Sequence, residues 1–125
     1  ISVLQLAGKY RVPTICLGGE TSYDTMSFYG PDTEDMIGRF GIDIAFFSSS
    51  ALTPSGWIAD YSARSTSLRR RVLAQSDKKV FLIDKSKFMK SGPYMLLPVS
   101  GVDHIIANAP LPPEIDTGKA SVTVI

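Results

Sequence analysis

Apolar residues in this chain gather in short consecutive runs rather than alternating with polar ones. The runs are Val12–Leu17, Ile42–Phe47, Val80–Ile83 and His104–Ala107, with Val122–Ile125 as a fifth candidate. Consecutive apolar residues are typical of strands covered on both faces. Segments with helical spacing lie between them. Pro31-Asp32-Thr33-Glu34-Asp35 reads as a helix start: proline suits the first helical position, and carboxylates complement the positive end of the helix dipole. Met36, Ile37 and Phe40 then share a face, and Gly41 ends the helix. A second helix is expected from about Ser65 to Ser76, burying Leu68, Val72 and Leu73 and leaving Arg69, Arg70 and Arg71 as a solvated face. Ile1–Ala7 reads as the tail of a helix, and Glu114–Ala120 allows a helical turn. Gly92–Gly101, with Pro93 and Pro98, reads as a loop or an edge excursion. Strands alternating with helices predict an α/β fold around a mostly parallel sheet.

Composition narrows the function classes. The 125 residues suit one domain, and 44% hydrophobic with 20% charged residues is a globular balance. Thirteen Lys and Arg against twelve Asp and Glu give a net charge of +1, without the basic excess of a nucleic-acid-binding domain. The longest apolar runs fall far short of the ~20 residues that span a bilayer. Cys16 is the single cysteine, so an internal disulfide is impossible; it reads as a small buried hydrophobe, and the expected compartment is the reducing cytoplasm. The chain opens on Ile1 rather than Met and is read as a segment of something longer.

Ligands of open α/β sheets gather beyond the carboxyl ends of the strands. The residues that follow each apolar run are therefore read together. They are Gly18-Gly19, Ser48-Ser49-Ser50, Asp84-Lys85-Ser86-Lys87 and Asn108. Glycine lets backbone approach a ligand, serine donates and accepts, and lysine supplies a point charge for a phosphate. The mixture suits a small, hydroxylated, anionic ligand. Taken singly, Gly18-Gly19 makes a turn, the serines cap, and Lys85, Lys87 and Lys90 are solvated charges. Asp43 interrupts an apolar strand, where a carboxylate must be hydrogen-bonded, paired or used. His104 reads as a structural, hydrogen-bonded histidine, and one His with one distant Cys makes no metal site. The chain has no G-x-S-x-G elbow, Walker loop or G-x-G-x-x-G.

The series Leu17-Gly18-Gly19, Ser27-Phe28-Tyr29-Gly30-Pro31 and Ile42-Asp43-Ile44-Ala45-Phe46-Phe47 resembles the sensor domain of DeoR-type bacterial transcriptional regulators. Gly56, Leu68-Arg69-Arg70, Phe81-Leu82-Ile83-Asp84-Lys85-Ser86-Lys87-Phe88 and Val102-Asp103-His104-Ile105-Ile106 continue the match in order. The resemblance implies a Rossmann-like three-layer sandwich related to ribose 5-phosphate isomerase, here truncated at the N-terminus as a single partial sensor domain over residues 1–125. It implies a phosphorylated sugar as effector, no cofactor, a homo-oligomer, and operator DNA reached only through a helix-turn-helix absent from this chain. The family's Gly-Thr-Thr phosphate loop is also absent. Ser48-Ser49-Ser50 stands where the family commonly has glycines, and Ser65 where it often has a Glu.

Carried over by position, the effector-binding candidates are Lys87, Asp43, Ser48, Ser50 and Asp60. Lys87 would pair with the phosphate or a sugar hydroxyl, and Asp84 would hold the turn that aims it. Asp43 would accept from sugar hydroxyls, Ser48 and Ser50 would donate, and Asp60 would face the same rim. An isomerase-like enzyme on the same fold and a purely oligomerising domain are the alternatives. Ser65 offers the first of these no base.

Overall fold

The computed structural model describes residues 1–125, which form two compact units, Ile1–Phe40 and Gly41–Ile125. The first unit holds helix α1 (Ser2–Lys9), an antiparallel hairpin of β1 (Glu20–Ser22) and β2 (Ser27–Tyr29), and helix α2 (Pro31–Ile37). Helix α2 starts as expected, with Pro31 at its first position and Asp32 and Glu34 in its first turn, but it stops at Gly38. Thr33 of α2 is buried and donates to the Gly18 carbonyl at 2.7 Å, so the Gly18-Gly19 turn is held within this unit.

Val12–Leu17 is not a strand. It forms no ladder, and Val12 and Ile15 are exposed. Pro13 removes a backbone donor near its start, and the Val12 N–H is spent on the carbonyl of Ala7 in α1. Cys16, expected to be buried, is therefore exposed.

The second unit is built on a parallel sheet in the order β3-β6-β8-β9: Ile42–Phe47, Ser76–Ile83, His104–Ala107 and Ser121–Val124. Ile42–Phe47 and His104–Ala107 became strands over their expected bounds, Val80–Ile83 became the second half of a strand that starts four residues earlier at Ser76, and the fifth run shifted by one residue. This is the expected α/β, Rossmann-like architecture, with a departure in its connections. Only the β3-to-β6 passage carries an α-helix, α3 (Ala63–Ala74). Ser62 caps it, accepting from the Ser65 N–H at 3.2 Å. From β6 to β8 the chain instead runs through a 3-10 turn at Lys85–Lys87, strand β7 (Tyr94–Pro98) and a second 3-10 turn at Val99–Gly101. Glu114–Ala120 holds turns rather than a helix.

A second sheet was not foreseen. Strands β4 (Ala51–Leu52) and β5 (Trp57–Asp60) form an antiparallel hairpin, and β7 adds on the far side of β5. Gly56 makes the hairpin turn possible at φ +77°, a conformation that side chains disfavour. Pro98 ends β7 on the sheet's edge, where a missing donor costs no ladder bond.

One face of the parallel sheet supplies Ala45, Phe47, Phe81, Ile83, Ile105 and Ala107 to the core. The antiparallel sheet adds Leu52, Ile58 and Leu96, and α3 adds Leu73. Phe81 is fully buried, with its ring 5.1 Å from that of Phe47. Phe81→Ala is expected to cost about 3–5 kcal/mol in urea unfolding, because the cavity opens between two sheets that cannot both close on it. A loss below about 1 kcal/mol would mean that the two sheets do not share this core.

Candidate functional site

The carboxyl ends of β3, β6 and β8 meet at a cavity of about 360 Å³. Its polar lining is Ser48, Asp84, Lys87 and Asn108. Leu82, Ile106 and Ile125 supply much of the apolar remainder. Ser48 follows β3 directly, Asp84 follows β6, and Asn108 follows β8. The residues read from the ends of the apolar runs therefore do converge here, apart from Gly18-Gly19, which belongs to the first unit.

Lys87 is aimed by its local structure. Asp84 caps the 3-10 turn, accepting from the Ser86 N–H at 2.9 Å and from the Ser86 hydroxyl. Phe88, the next residue, packs on the core and bridges to Leu52, and the Lys90 N–H donates to the Leu52 carbonyl at 3.2 Å. The lysine stem thus leaves a segment pinned on both sides. Its ammonium donates to the Ser48 hydroxyl at 3.2 Å and lies 3.5 Å from an Asp84 carboxylate oxygen. An ammonium has three donors, so one remains for a ligand. The Asp84 pair is half-exposed and weak, so it does not lock the cation away. The Asn108 side-chain oxygen accepts from the Lys85 N–H at 2.8 Å.

The other candidates lie elsewhere. Asp43 is exposed near the start of β3, the end of the strand remote from the cavity. Its carboxylate stays in water, so the burial that would demand a partner does not arise. Ser50 and Asp60 form a separate network. Asp60 is 5% exposed. One carboxylate oxygen accepts from the Ser50 hydroxyl at 3.1 Å and from the Tyr61 and Ser62 N–H groups at 2.7 and 3.2 Å. The other accepts from Arg69 at 2.5 Å. Ser49, which the sequence did not single out, is buried beside them and donates to the Ala59 carbonyl at 2.5 Å. Gly92 also touches this network, since a Cβ there would sit 2.8 Å from the Asp60 carbonyl oxygen. Asp60 therefore organises the loop that presents Ser48 rather than lining the cavity itself.

The arginines are not the uniform solvated face expected. Arg69 is half-buried on Asp60, and Arg70 donates to the Met95 carbonyl of β7. Position along the helix gave no sign of this, because the partners come from other strands. His104 is half-buried, with its ring nitrogens on the hydroxyls of Ser121 and Thr123 of β9, as a structural histidine would be.

Two outcomes follow from this geometry. Asp60→Ala leaves Arg69 without its partner and should cost about 3 kcal/mol in chemical denaturation. A change within about 0.5 kcal/mol would show that the network is dispensable. The Ser86 hydroxyl bond, aided by its N–H and by Lys87, holds the Asp84 carboxyl below its ordinary value. A depressed carboxylate stabilises the fold above its unfolded pKa and loses that contribution as pH falls through the folded value. Ser86→Ala should raise the Asp84 pKa toward the free value of ~3.9 in a carbonyl NMR titration; an unmoved titration would assign the shift to another cause.

A family model described as the DeoR C terminal sensor domain matches residues 2–109. An L-fucose operon activator of Haemophilus influenzae is 34% identical over 107 residues, covering 86% of this chain and 43% of that protein. An L-fucose operon activator of Escherichia coli K12 is 27% identical over 83% of this chain and 43% of its own length. The glycerol-3-phosphate regulon repressor of the same strain is 24% identical over 89% of this chain and 43% of its own. The chain thus spans less than half the length of these curated relatives. No helix is long and apolar enough to cross a membrane. With the β3-end, β6-end and β8-end residues gathered at one cavity and the family match running through all three, the chain belongs to the DeoR C-terminal sensor domain family of transcriptional regulators.

Proposed function

We propose that this chain is the effector-binding domain of a cytoplasmic regulator of sugar-utilisation genes, and that its effector is a phosphorylated sugar held at the Lys87 cavity. The observation that carries this reading is the Lys87 ammonium, fixed at the mouth of a cavity by Ser48 and retaining a free donor. A phosphate would take that donor. Asp84 and Ser48 would meet sugar hydroxyls, the first as acceptor and the second as donor or acceptor. The relatives that act at an L-fucose operon and a glycerol-3-phosphate regulon support a small polyol or its phosphate. The intact regulator would reach operator DNA through a separate helix-turn-helix and would act as a homo-oligomer. Effector binding would shift the population between two states of different DNA affinity.

Asp43, Ser50 and Asp60 take no direct part in this reading. Ser50 and Asp60 act by holding the loop from which Ser48 reaches the cavity. Domain function here is recognition without turnover. The relatives are regulators rather than enzymes.

Thermal denaturation with a panel of sugar phosphates and their unphosphorylated parents tests the proposal. A bound phosphosugar at 100 times its dissociation constant should stabilise the chain by about 2.7 kcal/mol, and its parent should not. Lys87→Ala should weaken the phosphosugar roughly 10- to 100-fold while leaving the melting temperature of the free chain nearly unchanged, since its partners are a weak half-exposed pair. Undiminished affinity in Lys87→Ala would remove Lys87 from the site.

A further inference from the structure

Parallel sheets are almost always covered on both faces, because crossover helices pack on each side. The parallel sheet of the second unit has one face in the core. That face carries Ala45, Phe47, Phe81 and Ile105, and α3 lies on the same side through Leu73. Side chains alternate along a strand, so Ile44, Phe46, Val80, Leu82 and Ile106 share the opposite face. Register sets them side by side, Phe46 against Val80 and Leu82 against Ile106. Phe46 is 65% exposed, Ile44 47% and Leu82 37%. Single exposed apolar residues are ordinary on a surface, but these adjoin across three strands and form one patch. Two charges bracket it along β6. Lys78 pairs with Ile44 one pleat repeat before Val80. Asp84 stands one repeat after Leu82, and its backbone is still extended at φ −101° and ψ 156°, so it keeps to the same face.

We propose that this face is the interface between two copies of the chain, packed sheet on sheet with their strands antiparallel. The inference rests on the homo-oligomer reading and deepens it by naming the surface. The patch is self-complementary. A two-fold axis between the sheets, perpendicular to the strands and passing over Phe81 at the middle of the bracketed stretch, reverses one copy against the other. Lys78 of each copy then meets Asp84 of the second copy, and Val80 meets Leu82. The Asp84 carboxylate is half-exposed beside Lys87 and has room for a second cation. An axis along the strands would instead stack like charges on each other, which opposes association. The size also fits a second copy. Four strands ~4.8 Å apart and about five residues long make a face of roughly 300 Å² in projection, and side-chain relief about doubles it. Two copies then bury about 1,200 Å², the lower end of specific interfaces. Sheets stacked in this way sit ~10 Å apart and interdigitate their side chains, which gives Phe46 the cover that it lacks in one copy.

The test is sedimentation velocity of the 125-residue chain over a concentration series. Leu82, Ile106 and Asp84 also wall the Lys87 cavity, so it is run without any ligand. A reversible monomer–dimer equilibrium is expected, with a Kd of about 1–100 μM for an interface of this size. Phe46→Glu sets a carboxylate within the patch and leaves the core alone, because Phe46 is already exposed. This variant should weaken the dimer roughly 100-fold while the dilute chain keeps its melting temperature. Lys78→Glu sets two carboxylates together at each end of the interface and should weaken it about tenfold. A dimer that survives Phe46→Glu overturns the inference, since another surface would hold it, and leaves the homo-oligomer reading standing. A dimer indifferent to Lys78→Glu overturns the antiparallel arrangement and the inference with it. A chain that stays monomeric through the whole series removes the inference and the homo-oligomer reading together.

Discussion

Asp60 is a carboxylate taken almost wholly out of water and held by donors from three places in the chain. Ser50 comes from the loop after β3, Tyr61 and Ser62 from the entry to α3, and Arg69 from the helix itself. A buried charge of this kind costs several kcal/mol unless every partner is in position. The loop, the helix start and the helix body are therefore fixed relative to one another. Ser49 adds a bond to the β5 backbone, and the close approach of Gly92 ties in the start of the β7 segment. The presentation of Ser48 to Lys87 is a consequence of this network rather than a property of Ser48.

The Lys87 side depends on a different device. A single 3-10 turn is a poor anchor by itself, because it closes few hydrogen bonds. Here Asp84 caps it and Phe88 is seated on the core, so a cation that would otherwise sweep through solvent is confined. The Lys87–Asp84 pair, 3.5 Å apart and partly exposed, orients the ammonium without burying it. On the proposed reading, one ammonium beside one carboxylate would suit a ligand that brings both an anion and hydroxyl groups.

The regulator reading joins these two devices. A ligand that bridges Ser48 and Lys87 would link the loop governed by Asp60 with the turn governed by Asp84. The two segments are far apart in sequence and meet only across the strand ends. Differential binding to two arrangements of these segments is the physical requirement for a population shift.

The parallel sheet was legible from the chain alone, because Ile42–Phe47, Val80–Ile83 and His104–Ala107 carry the apolar density that burial in a sheet requires. The start of α2 was legible because Pro31 and its acidic neighbours act locally on helix termini. Strand polarity then made Ser48, Asp84, Lys87 and Asn108 neighbours, since parallel strands put their carboxyl ends on one side. Val12–Leu17 misled for a complementary reason. Apolar composition permits a strand, but a strand exists only where a neighbour accepts its ladder, and Pro13 interrupts the donors. The short strands β4, β5 and β7 escaped notice because their pairing is set by contacts between distant residues. Asp43 and Asp60 look alike in sequence, each an aspartate in an apolar setting. Only the tertiary structure separated them, leaving one in water and surrounding the other with donors from three segments. Local chemistry was thus written in the residues themselves, whereas burial and partnership were decided by which distant segments the fold brought together.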